Sequence, residues 1–240
     1  MKGIWIVMIV TALLAGCETA PEKKEIIAKP GQRIGVISLV DEHPTHAHMG
    51  TTIFNNFRRD SASNWGIGSA FEQMISDHFA NYLELEVKAL EPPNSLRKLR
   101  TSIIQHNSLG YYLNEKLEPE IARVGLNNNV DYLILLRPSW IAAAPNSTVG
   151  TSNYGLMSKC FLVLCSIDPV MASEIVVIQT SPAKYLGGSH PRFGQEHHMR
   201  MEASWDPRSV TDEFLDRYKE LAIKSIAEAI PAASAAAGLR

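Results

Sequence analysis

Two near-continuous apolar runs set the tightest limits on this chain: Val130–Leu136 (VDYLILL) and Arg33–Val40 (RIGVISLV). A strand that buries one face alternates apolar and polar residues, and these two do not. Such runs are stable only where both faces are covered, which is the habit of sheets flanked by helices.

The covering helices are legible nearby. From Ser69, apolar residues fall at Phe71, Met74, Ile75, Phe79, Tyr82 and Leu83, spaced by three and four, which makes one helical face. A last helix is expected from about Thr211 to Ile230, with Phe214, Leu215, Tyr218, Leu221, Ala222 and Ile226 inward, and Ser209 and Asp212 as its capping pair. Leu113 to Leu126 reads as helical, with Pro119 kinking it or opening its second half. Ser95 caps a further helix with Leu96, Leu99 and Ile103 inside.

Leu85–Leu90 alternates as a strand that Pro92-Pro93 ends, and Thr51–Phe54 is a candidate second strand. Arg58–Gly68 and Pro138–Leu156 read as loops, the second long and exposed. Lys159–Ile167 and Glu174–Thr180 are two apolar strands, expected to form a hairpin across Asp168-Pro169. The alanine-rich tail, residues 232–240, is expected to fray. The order predicts one single-domain α/β layered sandwich over residues 31–231, with a mixed sheet, a C-terminal hairpin and packed helices.

The first seventeen residues carry an address. Lys2 supplies a positive charge, and Ile4–Leu14 is an apolar run too short for a membrane-spanning helix, which needs ~20 residues. Leu14-Ala15-Gly16-Cys17 resembles the bacterial lipobox. The resemblance implies removal of residues 1–16, acylation of Cys17, and a tether over residues 17–30 that holds the body close to the membrane. Glu18 in place of aspartate implies delivery to the periplasmic face of the outer membrane in the Gram-negative pattern. With a formal net charge of −2, the chain has no global attraction for nucleic acid. The partners expected are the membrane, through the lipid on Cys17, and an envelope protein.

Cys160 and Cys165 remain. On one extended strand, residues five apart lie roughly 16 Å from each other, whereas a disulfide needs Cα atoms within ~7 Å. Two buried free thiols are the expectation, a bridge requiring a turn between them. Their spacing is not the CxxC of a redox pair.

The order of elements resembles envelope lipoproteins built on the fold of the TolB amino-terminal domain, including the curli-secretion and penicillin-binding-protein activator lipoproteins. The matching segments are RIGVISLV, ARVGLNNNVDYLILL and CFLVLCSIDPVMASEIVVI. The resemblance supports the fold; fold does not imply function.

For chemistry, the best candidate is His43-x-x-His46-x-His48, preceded by Asp41 and Glu42. Imidazole and carboxylate suit zinc or copper, and His46 and His48 would point the same way on an extended strand. His197-His198 could complete such a site. Gly66-Ile67-Gly68-Ser69 before a helix is a weak anion signal. Ser189-His190 is adjacent in sequence, which does not build a triad. Trp65, Trp140 and Trp205 fall in loops or element ends, where they serve either a binding surface or the edge of a core. No catalytic motif stands out. Three classes follow: a non-catalytic binding or assembly lipoprotein, a metal-binding or metal-sensing lipoprotein using His43, His46 and His48, and an envelope hydrolase with a dispersed site.

Overall fold

The computed structural model describes residues 29 and 31–239, apart from 83–84, 145–146, 148, 163 and 203. Cys17 and its lipobox lie outside the described residues. In chain order the strands are β1 (Arg33–Ser38), β2 (Thr45–Met49), β3 (Phe57–Asp60), β4 (Glu86–Ala89), β5 (Ile104–Asn107), β6 (Gly110–Leu113), β7 (Tyr132–Pro138), β8 (Ile141–Ala142), β9 (Gly150–Thr151), β10 (Tyr154–Phe161), β11 (Leu164–Met171), β12 (Ser173–Thr180), β13 (Ala183–Ser189) and β14 (Met199–Met201). The α-helices are α1 (Ile67–Tyr82), α2 (Asn94–Lys98), α3 (Glu118–Asn128), α4 (Asp212–Asp216) and α5 (Lys219–Ala237).

The chain is mixed α/β, as its pattern predicts, but it builds two five-stranded sheets. The first has the order β13-β12-β7-β1-β4, with β4, β1 and β7 parallel and the β12–β13 hairpin antiparallel. The step from β1 to β4 and the return from β4 to β7 run in opposite directions, so right-handed crossovers put α1 and α3 on opposite faces. Ile34, Val36, Ile134 and Leu136 accordingly face a core shared with α1 and α5. Ile37, Leu133 and Leu135 face Ile121 and Val124 of α3 and Leu96 of α2. The two apolar runs are buried on both sides for this reason.

The second sheet has the order β14-β11-β10-β2-β3. Its Tyr154, Leu156, Ile167 and Met171 join the core of the α1 and α5 side, so the two sheets share one interior. The chain crosses from one sheet to the other between Met171 and Ser173.

Several expectations are corrected here. The hairpin across Asp168-Pro169 does not form: both residues sit inside β11, and β12 belongs to the other sheet. Proline is tolerated there because β14 covers only Cys165–Ile167, leaving an open edge beyond. The actual hairpin is β10–β11, closing at the Phe161–Leu164 pair, with Leu162 at φ 55°. That turn places Cys160 opposite Cys165, and the two form a disulfide with Cα atoms 4.2 Å apart. The expectation of two free thiols rests on one uninterrupted strand through Phe161–Leu164, and the turn removes that premise. Leu162 is not a turn-forming residue type, so nothing local announced the reversal.

The second strand is THAHM, not Thr51–Phe54, which lies in an exposed turn. The expected 58–68 loop begins as β3. Part of the expected long loop after Pro138 is the β8–β9 ribbon and the start of β10; Ala143 packs with Met157 and Val170 on the second sheet. Helix α2 stops at Lys98, and Ile103 and Ile104 belong to the β5–β6 ribbon region instead. Pro119 opens α3. Thr211, not Ser209, caps the C-terminal helices, its hydroxyl accepting from the Phe214 amide.

The frayed tail is also overturned. Helix α5 continues through Pro231 to Ala237, and Ala233, Ala237 and Leu239 are buried. Small residues are what the contact demands: a Cβ on Gly187 of β13 would lie 2.6 Å from the Ala236 backbone. The body therefore extends to Leu239. Leu239→Ala is expected to cost about 2–3 kcal/mol in denaturant unfolding, whereas a frayed tail would leave stability unchanged.

Candidate functional site

The histidine cluster is reached through β2. Side chains alternate along a strand, so His46 and His48 share a face, as expected. Parallel pairing with β10 sets Ser158 opposite His48 and Leu156 opposite His46. Antiparallel pairing with β3 sets Phe57 opposite His48 and Arg59 opposite His46. The result is a serine hydroxyl held between two imidazoles: Ser158 Oγ is 2.7 Å from His46 Nε2 and 2.7 Å from His48 Nδ1. All three side chains are buried.

Burial, then the neighbouring His48 and Arg59, pushes His46 down to about 4. Burial and Arg208 lower His48 as well. Both rings are therefore neutral at pH 7, and one hydroxyl proton settles the tautomers. One imidazole N–H donates to Ser158 Oγ, and Oγ–H donates to the bare nitrogen of the other ring. Phe57 closes the cluster, edge-on to His46 at 5.2 Å and stacked on His48 at 5.1 Å. Beyond it lies a cavity of about 270 Å³ lined by His46, Phe57, Arg59, Pro207 and Arg208.

His43 is not part of this group; its Nδ1–H donates to the Ser63 carbonyl at 3.0 Å. His198 pairs with Asp168 at 2.6 Å, and His197 with Glu196 at 3.5 Å. Among the described residues no group of three or more His, Cys, Asp or Glu side chains converges as a metal site. The expected His43, His46 and His48 ligand set is thus divided between two places.

The tryptophans divide too. Trp65 is core, its indole N–H donating to Asp216 Oδ1 at 2.8 Å and its ring tilted on Tyr154. Trp205 is partly buried against the same core. Trp140 is exposed. The three do not form a binding surface.

A second cavity, of about 430 Å³, opens beyond the carboxyl ends of β1 and β4 at the first turn of α1. This is where ligands settle in open parallel sheets. Gly68 packs closely there: a Cβ would meet the Ser38 side chain at 3.1–3.2 Å. The walls nevertheless carry Asp41, Glu42, Glu72 and Glu91 against Arg97 and Arg100. Arg100 is already bidentate on Asp41, at 2.5 and 3.1 Å. Burial and Glu91 raise Glu72. That excess of carboxylate opposes an anion at Gly66–Ser69, in keeping with the weakness of the sequence signal there.

The most distinctive surface was not foreseen. The hairpin tip carries Phe161, Leu162 and Leu164, and the turn after β2 carries Ile53 and Phe54, all between 69% and 87% exposed. Met49 pairs with Lys159, so the ends of β2 and β10 lie together. Thr51 ties the two loops: its hydroxyl donates to the Cys160 carbonyl at 3.2 Å and accepts from the Leu162 amide at 3.0 Å. The disulfide staples the base of the hairpin. At roughly 150–200 Å² per large apolar residue, this tip exposes on the order of 600–700 Å², at or above the largest patch of an ordinary monomer.

Ser158 and this tip were missed because their contacts join residues more than a hundred positions apart. The one local signal was the uncharged run Phe161–Leu164, which reads equally well as a buried strand. No protein-family model matches the chain, and no curated protein is similar to it.

Proposed function

We propose that this protein is a lipid-anchored lipoprotein at the periplasmic face of the outer membrane, with a non-catalytic binding role in the envelope. The observation that carries the binding role is the five-residue apolar tip of Ile53, Phe54, Phe161, Leu162 and Leu164. Leaving such a surface in water is costly, and on a folded body it marks an interaction site. The lipobox ending at Cys17 supports the anchor, and Glu18 after it supports the outer membrane. A disulfide fits an oxidising periplasm.

Two measurements test this. The mass of the mature chain is expected to show loss of residues 1–16 and acylation of Cys17; an unmodified amino terminus sinks the anchor. A photo-crosslinker placed at residue 54 in intact cells is expected to trap envelope components, lipid or protein. The same group at Leu109, an exposed leucine of the β5–β6 turn, is the control. Equal trapping at both positions removes the binding role from the tip.

One observation favours a second reading, that of a hydrolase: the Ser158 hydroxyl meets imidazole nitrogens at nucleophile–base distance. It ranks lower because Ser158, the would-be nucleophile, is fully buried, and the cavity beside the cluster is lined by His46 and not by Ser158. A fluorophosphonate probe is expected to leave Ser158 unmodified. Stoichiometric labelling, lost in Ser158→Ala, would reverse the ranking.

A further inference from the structure

We infer that the apolar tip inserts into the lipid bilayer, so that the body is held at the membrane by two points, the acyl chains on Cys17 and the β10–β11 hairpin. This rests on the lipid-anchor reading and names the occupant of the tip.

Reach is the first argument. The fifteen positions from Glu18 to Gln32 can span at most ~50 Å, the covalent limit of a chain of that length. A body of this size has a radius of gyration of about 17 Å and hence a diameter of about 43 Å. An anchored body therefore never leaves the bilayer by more than about its own width, and any of its ends can be turned to the surface. A bilayer is then the apolar phase always within reach of the tip.

Composition is the second. Residues 50–56 (GTTIFNN) and 160–166 (CFLVLCS) contain no charged side chain. The nearest charges along the hairpin, Lys159 and Asp168, stand behind the tip and pair with each other at 3.5 Å. On the β14 side, Arg200 lies opposite Ser166 and Glu202 follows the Met201–Cys165 pair, so charge begins at the flank of the apex. Charge is what hydrocarbon rejects most strongly, so an uncharged apolar apex with ions at its base and flank suits shallow contact with a lipid interface.

Backbone chemistry is the third. Polar main-chain groups enter a bilayer only with partners inside the protein. At this turn Thr51 supplies them, bonding both the Cys160 carbonyl and the Leu162 amide. Gly50 N–H is likewise held by Asn56 Oδ1 at 2.9 Å. The disulfide and these bonds hold the base of the hairpin before contact, so part of the ordering is already in place. The apolar groups sit at the closed end of a hairpin and in the turn beside it.

The test uses the acylated full chain in vesicles of phosphatidylethanolamine and phosphatidylglycerol. Phe54→Cys, labelled with a polarity-sensitive fluorophore, is compared with Leu109→Cys; both positions are exposed, so neither substitution tests folding. The label at residue 54 is expected to shift to the blue and to be quenched by nitroxide-bearing lipids about twofold or more beyond the label at 109. Equal, water-like emission at both sites in vesicles that carry the protein overturns the inference while leaving the anchor intact. Shielding at 54 in native envelopes but not in these vesicles also overturns it, and assigns the tip to a protein partner. Mass analysis of the same sample reports the anchor separately: without acyl chains on Cys17, the anchor and the inference fall together.

Discussion

Replacing Arg137 with Met, or Glu174 with Ala, is expected to cost about 3–5 kcal/mol, a Tm loss of about 6–20 °C for a body of this size. The two residues face each other across β7 and β12, and the guanidinium Nη2 donates to the Glu174 carboxylate. Their side chains are only 8% and 5% exposed. Arg137 Nη1 also donates to the Thr101 carbonyl at 3.1 Å, tying the segment after α2 to the sheet. His190 Nε2 lies 3.9 Å from the other Glu174 oxygen. Two ions taken out of water recover their hydration cost from each other, so deleting either one strands its partner. The double variant Arg137→Met/Glu174→Met is expected to regain most of the loss, since a packed apolar pair carries no such penalty. Urea unfolding of the three variants decides it. Single variants within about 1 kcal/mol of the parent would mean that water reaches the pair.

The second large effect is a loss of stability in mild acid. His46 is held at about 4 in the fold against 6.5 in a free chain, so the unfolded state takes up its proton first. The contribution is complete above pH 6.5 and is lost as pH falls from there towards 4. Its full size is on the order of 3 kcal/mol, of which about 2 kcal/mol disappears between pH 7 and pH 5, above the usual carboxylate range. His48, also lowered, adds to the same slope. The physical cause is burial, to which the neighbouring His48 and Arg59 add. A second proton on either ring would require a buried cation beside Arg59 or Arg208, and on the hydroxyl's acceptor ring it would remove the lone pair that Oγ–H uses. Unfolding curves at pH 7, 6 and 5 measure the slope directly, and His46→Gln is expected to flatten it. A parent protein equally stable at pH 7 and pH 5 would contradict the buried, neutral assignment.

How much of this was visible beforehand depends on the range of the interaction. The pairing of His46 and His48 on one face needed only the two-residue period of a strand. Ser158 between them needed the register of β10 on β2, which no local pattern encodes. The cysteines show the same division. Their spacing argues against a bridge along one strand, and it was the reversal at Leu162 that brought them together. The alanines after Pro231 read as a weak tail because their small side chains carry little periodic signal. In the structure that smallness lets α5 lie against Gly187.

The apolar tip is the clearest case. A run such as Phe161–Leu164 is equally a core strand or an exposed apex, because hydrophobicity states a preference and not a location. What the amino-acid order determined alone was the set of doubly buried strands, the faces of α1 and α5, and hence the α/β class. The division into two sheets, the serine between two histidines, the disulfide and the exposed tip were decided only by tertiary structure. The sheets, the serine bridge and the pairing of the tip's two loops depend on residues far apart in the chain, whose pairing is fixed by burial of the whole; the disulfide depends on a local reversal at Leu162 that no turn-forming residue announces.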